Sequence, residues 1–548
     1  MMRPETYLKE QFQRALKQAY DLEHDIVIEK PRQAAFGDFA TTTALNLAKT
    51  LKTAPRAIAE KIVAAFDDPR KLVEKFSIDG PGFINVTLSP DYWRSLLPEI
   101  IASGAKYGEI DLGKGQKIQI EFVSANPTGP LNVVSARAAA VGDVLVSVLN
   151  LAGFDAWREY YVNDAGRQIR LLGASVAARY ATLCGHAEDV PEDGYQGEYI
   201  IDLAKEIRSE LGDELMQLDA GERAEKLSQI ALDKMLALHR QAMDAYRVHY
   251  DLWFRESSLR AAGKHFDVLN VLREKGLTYE KEGAVWFRST DFGDAKDRVL
   301  ITREGEPTYF LVDIAYHKDK YERGFEKIYD LWGPDHHGYI DRVSAALQAL
   351  GYAKENFQVR IIQQVNMLRD GEVVKMSKRA GNIIEMREIV DEVGVDAARY
   401  FFIMRKLDSP LDFDIELAKK QTDENPVFYV QYAHARLYNI IVHGREKGVE
   451  LEPDADLSVL NEPEEFAVMR KLGEYPEIIR RIAELMEPHH LTTYLIELAS
   501  TFHSFYQKHR VISDDRSLSR ARLVLVEATR TVIHNALGLL KITAPERM

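Results

Sequence analysis

Between Lys375 and Arg379 the chain reads "KMSKR", with Ser377 among the cations Lys375, Lys378 and Arg379 and Gly381 close behind. Cations crowded into so short a loop can fold over a polyphosphate and offset the charge that develops during displacement at phosphorus. On their own these letters also describe a solvated basic turn. A second candidate is "PTGPLNVVSARAAAVGD", Pro127 to Asp143, which offers Asn132 and Ser135 as hydrogen-bond donors. Strand-to-helix loops of this kind are where α/β proteins bind phosphates. In "YFLVD", Tyr309 and Asp313 are four residues apart, so on a helix both point the same way. The adjacent His336 and His337 of "DHHG" suggest a metal at first sight, but no third ligand has a recognisable spacing and no metal is expected.

These residues need elements to position them. "KIQIEFV", Lys117 to Val123, alternates like a strand, and the Ala-, Val- and Leu-rich run from about Val133 to Leu151 reads as a helix ending near Gly153. "AWREYYVND" from Ala156 completes a β–α–β unit. Residues 167–266 read as mainly helical, and "GAVWFRST" as a strand. "KIYDLWG" and "QVRIIQQV" flank the helical "YIDRVSAALQALG", giving a second β–α–β unit about two hundred residues after the first. Asp370-Gly371 marks a hairpin just before the basic loop. Two such units separated by an insertion predict one parallel sheet split by a subdomain. The first hundred residues read as a small α/β module, and the chain from about Gln421 onward as almost wholly helical.

Composition sets outer bounds. A chain of 548 residues is too long for one core, and 46% hydrophobic with 28% charged residues is ordinary for a globular protein. One cysteine, Cys184, excludes an internal disulfide framework and a cysteine-based zinc cluster. No apolar run is read as long enough to span a bilayer, and the amphipathic N-terminus lacks the apolar core of a signal peptide, so the cytoplasm is the expected compartment and no membrane partner is expected. A net charge of −14 argues against a surface that binds polyanions everywhere, though not against a local basic groove.

"SANPTGPL" opening the first half-fold and "KMSKR" after the second resemble the paired signatures of class I aminoacyl-tRNA synthetases. Along nearly the whole chain the sequence is similar to the arginyl-tRNA synthetase family. The matching stretches are "FGDFATTTALNLAK", "GPGFINVTL", "EYYVNDAG", "YQGEYI", "RESSL", "FGDAKDRVLITREGEPTYFLVDIAYHKDKYERGF", "WGPDHHGYIDRV" and "APERM". The resemblance implies an α/β multidomain protein. Its parts are an N-terminal tRNA-contacting α/β domain over 1–110, a split Rossmann-like parallel-sheet catalytic domain over 111–420 with an insertion at about 167–266, and a helical anticodon-binding domain over 421–548. It implies ATP as substrate with accompanying Mg2+, L-arginine and tRNA(Arg) as partners, and a monomer. It also implies that tRNA is usually bound before arginine is activated.

By the same resemblance, Tyr309 and Asp313 hold the guanidinium, a planar cation that a carboxylate can grip in fork geometry. Glu121 and Asn126 bind the α-amino group, and His337 lines the arginine pocket. Pro127, Thr128, Gly129, Asn132, Ser135, His336, Met376, Ser377, Lys378 and Arg379 meet ATP, and Lys375, Lys378, Asn132 and Ser135 act in catalysis. For one of the two histidines a structural role stays equally open. The family normally carries His-x-Gly-His where this chain has Asn132-Val133-Val134-Ser135. Asn132 retains a donor near the first imidazole position, Ser135 a shorter one, and Val134 fills space that glycine leaves open. Tyr432, Arg436, Arg510 and Met548 are the expected RNA contacts, since aromatic and arginine side chains suit unstacked bases. The alternative is a catalytically impaired, RNA-binding paralogue, which accounts for "NVVS" but not for the basic loop. An enzyme for another amino acid is disfavoured by Tyr309 and Asp313.

Overall fold

The computed structural model describes residues 3–31, 33, 36–374 and 384–548. By compactness the chain forms two units that are not consecutive in sequence. One comprises residues 1–105, 436–474 and 500–532, and the other residues 106–435, 475–499 and 533–548.

The first unit contains a three-stranded antiparallel sheet in the order Phe39–Thr41, Phe83–Leu88, Val73–Asp79, with helices Thr43–Leu51 and Pro55–Ala64 packed beside it. The expected N-terminal α/β character is therefore present. Gly82, at φ +144°, makes the turn between the two longer strands pass within contact of Pro55, where a Cβ would sit 2.8 Å from a backbone carbon.

The second unit is built on a five-stranded parallel sheet. Its strands in chain order are β1 (Lys117–Glu121), β2 (Asp155–Val162), β3 (Leu252–Arg255), β4 (Lys327–Trp332) and β5 (Phe357–Ile361). Helix α1 (Val133–Leu151) joins β1 to β2, α2 (Tyr309–Glu322) precedes β4, and α3 (Ile340–Leu350) joins β4 to β5. The strands lie in the order β5-β4-β1-β2-β3, so the chain leaves β1 in one direction and returns on its other side. In open parallel sheets ligands bind at the carboxyl ends beside such a reversal, here between β1 and β4.

Both expected β–α–β units are present, and the Asp370-Gly371 hairpin is a two-residue turn with both φ values positive, 52° and 80°. The stretch 167–266 is mainly helical, as read, and within it "LWFR" forms the edge strand β3, four residues being too few for a period of two to register. The expectation that no apolar run could span a bilayer fails. Helix α1 is long and apolar enough by length and composition, but 83% of that window is buried inside the protein. Arg137 and Asp143 interrupt its apolar run, and both are buried core residues. Gly142 brings α1 against the end of β1, where a Cβ would lie 2.3 Å from the Phe122 ring.

Candidate active site

At the reversal point three carboxylates stand side by side. Glu159 on β2, Glu121 on β1 and Asp330 on β4 occupy the same register across adjacent strands, all under 10% exposed. So many buried acids must be paired. One helix supplies the partners. On α2, Tyr316, His317, Lys320 and Arg323 lie at spacings that bring them to one face, Arg323 being the cap residue just past its end. Lys320 donates to Glu121 Oε2 at 2.6 Å and Asp330 Oδ1 at 2.9 Å. Arg323 grips both oxygens of Glu159 at 2.6 and 2.8 Å, and the Tyr316 hydroxyl adds a bond of 2.7 Å. His317 Nε2 lies 2.8 Å from Asp330 Oδ2.

The charges follow from this arrangement. Burial alone would raise Asp330, but Lys320 and His317 together hold it below the usual carboxylate range. Burial first, and Asp330 beside it, push Glu121 up, and Lys320 and His317 only partly offset that. For His317, burial and Lys320 oppose protonation, yet Asp313 and Asp330 carry it from 6.5 up to about 10. A group raised on folding stabilises fully below its unfolded value and ceases to do so as pH climbs through the folded one. Wild type should therefore lose stability relative to a His317→Gln variant between pH 6.5 and about 10, measured as denaturation midpoints at stepped pH.

Tyr309 and Asp313 extend the same helix toward solvent. The helix predicted for them is observed, with Thr308 as its cap. Tyr309 is 62% exposed, and its hydroxyl lies 3.2 Å from the position a Cβ would take on Gly166. The Asp313 side chain is one-third exposed and its Oδ1 is 3.3 Å from His317 Nδ1. Tyr161 of β2 feels both Asp313 and Glu121; burial first, then Glu256 and these two acids, keep its hydroxyl protonated. The tyrosine donates to Glu256 at 2.8 Å.

The loop after β1 is held in an uncommon shape. Val123 and Ser124 have φ of 70° and 41°, and the Ser124 N–H donates to the Phe122 carbonyl at 3.0 Å, closing a γ-turn of the strained hand. The Ser124 hydroxyl donates to Glu121 Oε1 at 2.8 Å and accepts from the Tyr161 N–H. Beyond it, backbone carbonyls are clasped one after another. Tyr250 reaches Phe122, Tyr160 reaches Ala125, Tyr199 reaches Thr128 and His239 Nε2 reaches Gly129, at 2.8–3.2 Å. Burial lowers His239, so its neutral ring donates from Nε2 and shares the Tyr160 hydroxyl at Nδ1. Asn126 is exposed, Pro127 buried, and Thr128 and Gly129 are half-buried.

Asn132 is the N-cap of α1. Its Oδ1 accepts from the N–H groups of Val134 and Ser135 at 3.0 and 3.1 Å, and the Ser135 hydroxyl lies 3.4 Å from the same oxygen. The cap occupies the oxygen and leaves the amide nitrogen as the donor. Ser135 is buried, whereas Val134 is 37% exposed. Residues 131–133 pair with 384–386 through Val133 N–H to Ile384 and Met386 N–H to Leu131, at 3.3 and 2.8 Å. Lys375, Met376, Ser377, Lys378 and Arg379 lie outside the described residues, immediately before that pairing. Arg137, buried within α1, donates to the carbonyls of Gln363, Gln364, Lys406 and Ser409, so α1 is tied to the strand that leads into the hairpin.

His336 and His337 sit on the exposed turn between β4 and α3, the former 6.2 Å from the Trp332 ring. Of the expected RNA contacts, Tyr432 and Met548 are 37% and 51% exposed, and Arg510 is exposed. Arg436 stacks over Tyr506 at 5.3 Å and lies 3.4 Å from His503. Sequence reasoning missed Glu159, Asp330, Tyr161, His317, Lys320, Arg323 and Arg137. The signal available was "YHKDKYER", whose Tyr316, His317, Lys320 and Arg323 recur with a helical period.

Comparison with known proteins agrees with this architecture. The sequence models of three families match: the arginyl tRNA synthetase N-terminal domain over residues 6–88, the class I (R) tRNA synthetase catalytic domain over 96–409 and the DALR anticodon-binding domain over 430–548. Arginine--tRNA ligase 1 of Halalkalibacterium halodurans is 48% identical over 96% of this chain and 94% of its own. Arginine--tRNA ligase of Bacillus subtilis is 47% identical over the same shares. The arginyl-tRNA synthetase structure from Thermus thermophilus has the same fold, with a TM-score of 0.77 over the whole of both chains at 22% identity. With a family catalytic domain over more than half its length and such relatives across nearly all of it, the chain belongs to the arginyl-tRNA synthetases, class I aminoacyl-tRNA ligases.

Proposed function

We propose that this chain joins arginine to tRNA(Arg) by way of arginyl-adenylate, with MgATP as co-substrate, as a cytoplasmic monomer. The observation that carries the residue assignment is the placement of Tyr309 and Asp313 on the helix that also pairs the buried acids at the sheet reversal. Tyr309 and Asp313 hold the guanidinium; Glu121 and Asn126 orient the α-ammonium, with His337 beside them. The arginine carboxylate attacks the α-phosphate in line and pyrophosphate leaves. Lys375, Lys378 and Arg379, with Met376 and Ser377 between them, fold over the departing phosphates. A terminal ribose hydroxyl of tRNA then takes the arginyl group from AMP. No protein nucleophile is needed, so catalysis rests on positioning and electrostatics.

Asn132, Ser135, Pro127, Thr128, Gly129 and His336 form the ATP clasp. A donor fixed by its own cap is pre-oriented, which supports Asn132 as a working replacement for an imidazole. Three consecutive segments serve the three tasks: 1–110 and 421–548 for tRNA, where Tyr432, Arg436, Arg510 and Met548 meet RNA, and 111–420 for chemistry. The relatives support the ligase and not the alternative of an impaired, RNA-binding paralogue.

Losing a hydrogen bond to a charged group costs about 1.5–3 kcal/mol, or roughly 10- to 150-fold in rate. Asn132→Ala should lower kcat/KM for ATP by about that factor in tRNA-dependent ATP–pyrophosphate exchange, with the KM for arginine nearly unchanged. An equal rise in the KM for arginine would place Asn132 elsewhere.

A further inference from the structure

We propose that His317 is a cationic positioning residue that fixes the Asp313 carboxylate in the orientation that receives the guanidinium. The inference deepens the reading of Asp313 above and rests on it. The His317 ring is 1% exposed, and both its nitrogens face oxygen. Nδ1 lies 2.8 Å from the Asp313 carbonyl and 3.3 Å from Asp313 Oδ1, and Nε2 lies 2.8 Å from Asp330 Oδ2. A carbonyl and a carboxylate only accept, so both nitrogens must donate, and a ring donating twice is an imidazolium.

The geometry makes a continuous chain from the sheet to the substrate position. Asp330 belongs to β4, which is paired on both sides, by β1 and β5. From that fixed point His317 reaches Asp313, and a single nitrogen addresses both its main-chain and side-chain oxygens. An aspartate one-third exposed at a helix surface would otherwise sample its rotamers freely. Held in one, it offers the two oxygens in the plane that a bidentate guanidinium requires. The groups around the ring are Asp313, Tyr316 and Lys320 from its own helix, Asp330 from β4, Glu121 from β1 and Phe357 from β5. Of these, only Asp313 looks outward to solvent.

The experiment is steady-state kinetics of tRNA charging by the full-length enzyme for His317→Ala, His317→Gln, Asp313→Asn and the double variant His317→Ala/Asp313→Asn. His317→Ala should raise the KM for arginine about 10- to 100-fold while the KM for ATP and kcat move less than about threefold. His317→Gln, which keeps one donor, should recover part of the loss. In the Asp313→Asn background the histidine change should add almost nothing, because it acts through that carboxylate. Equal losses in both backgrounds, an unchanged arginine KM, or parallel rises in both KM values would overturn the proposal. Should the alanine variant fail to fold, nitrogen NMR of histidine-labelled wild type decides: two protonated ring nitrogens at pH 8 are expected, and a singly protonated ring overturns it. If Asp313→Asn itself leaves arginine binding intact, the reading of Asp313 fails instead, whatever the protonation of His317.

Discussion

Replacing Asp313 with asparagine raises the KM for arginine about 150- to 5,000-fold and leaves the KM for ATP within a small factor. The magnitude comes from leaving one partner of a desolvated charge pair alone, which costs roughly 3–5 kcal/mol. Asparagine has nearly the same shape but can offer the guanidinium only one acceptor and no charge. Tyr309, 62% exposed, supplies area and not charge, so it cannot replace the lost carboxylate. Initial rates at varied arginine, with ATP and tRNA saturating, check the prediction. A change confined to kcat would mean that Asp313 acts on the transition state and not on binding.

The second large effect is on stability. Lys320 is completely buried and is the shared partner of Glu121 and Asp330, which face each other at the same register on neighbouring strands. A methionine there fills similar volume but leaves two adjacent buried carboxylates, Asp330 paired with His317 and Glu121 with no cation in hydrogen-bond contact. Unfolding free energy should fall by about 3–5 kcal/mol, read from urea denaturation at pH 7.5. The sign with pH is definite. Without the lysine Glu121, already raised by burial, rises further above its unfolded value, so the deficit is small at acid pH and grows as pH rises through the carboxylate range. Adding Asp330→Asn to Lys320→Met removes the repulsion and should restore more than half of the loss. A deficit that does not vary with pH would show that packing and not charge is responsible.

How much of this was legible in the sequence depends on the distance over which each signal acts. Helix α1 begins and ends as read, because Asn132 caps it and the apolar run is uninterrupted save by Arg137 and Asp143. The Asp370-Gly371 hairpin is equally local. Tyr309 and Asp313 came from the family resemblance, and their spacing added only that on a helix both point the same way, a helix the structure contains. The acid row was not legible, since it exists only when Glu159, Glu121 and Asp330 are brought into register from strands far apart in the chain. Lys320 and Arg323 read as surface cations until that row is known. Asn132 was read as a phosphate donor; its oxygen proves to be spent on the helix, leaving the amide nitrogen for any ligand. The strain at Val123 and Ser124 could not be foreseen, because neither residue type favours a positive φ.

We hold that a chain with Asn132-Val133-Val134-Ser135 in its phosphate loop is a working synthetase. The most direct measurement is charging of tRNA(Arg) by the purified protein with labelled arginine and ATP, beside Asn132→Ala and Asp313→Asn. Robust charging that falls in both variants, through ATP in the first and arginine in the second, is the predicted result. Binding of tRNA without any charging would overturn this and leave an RNA-binding protein in its place.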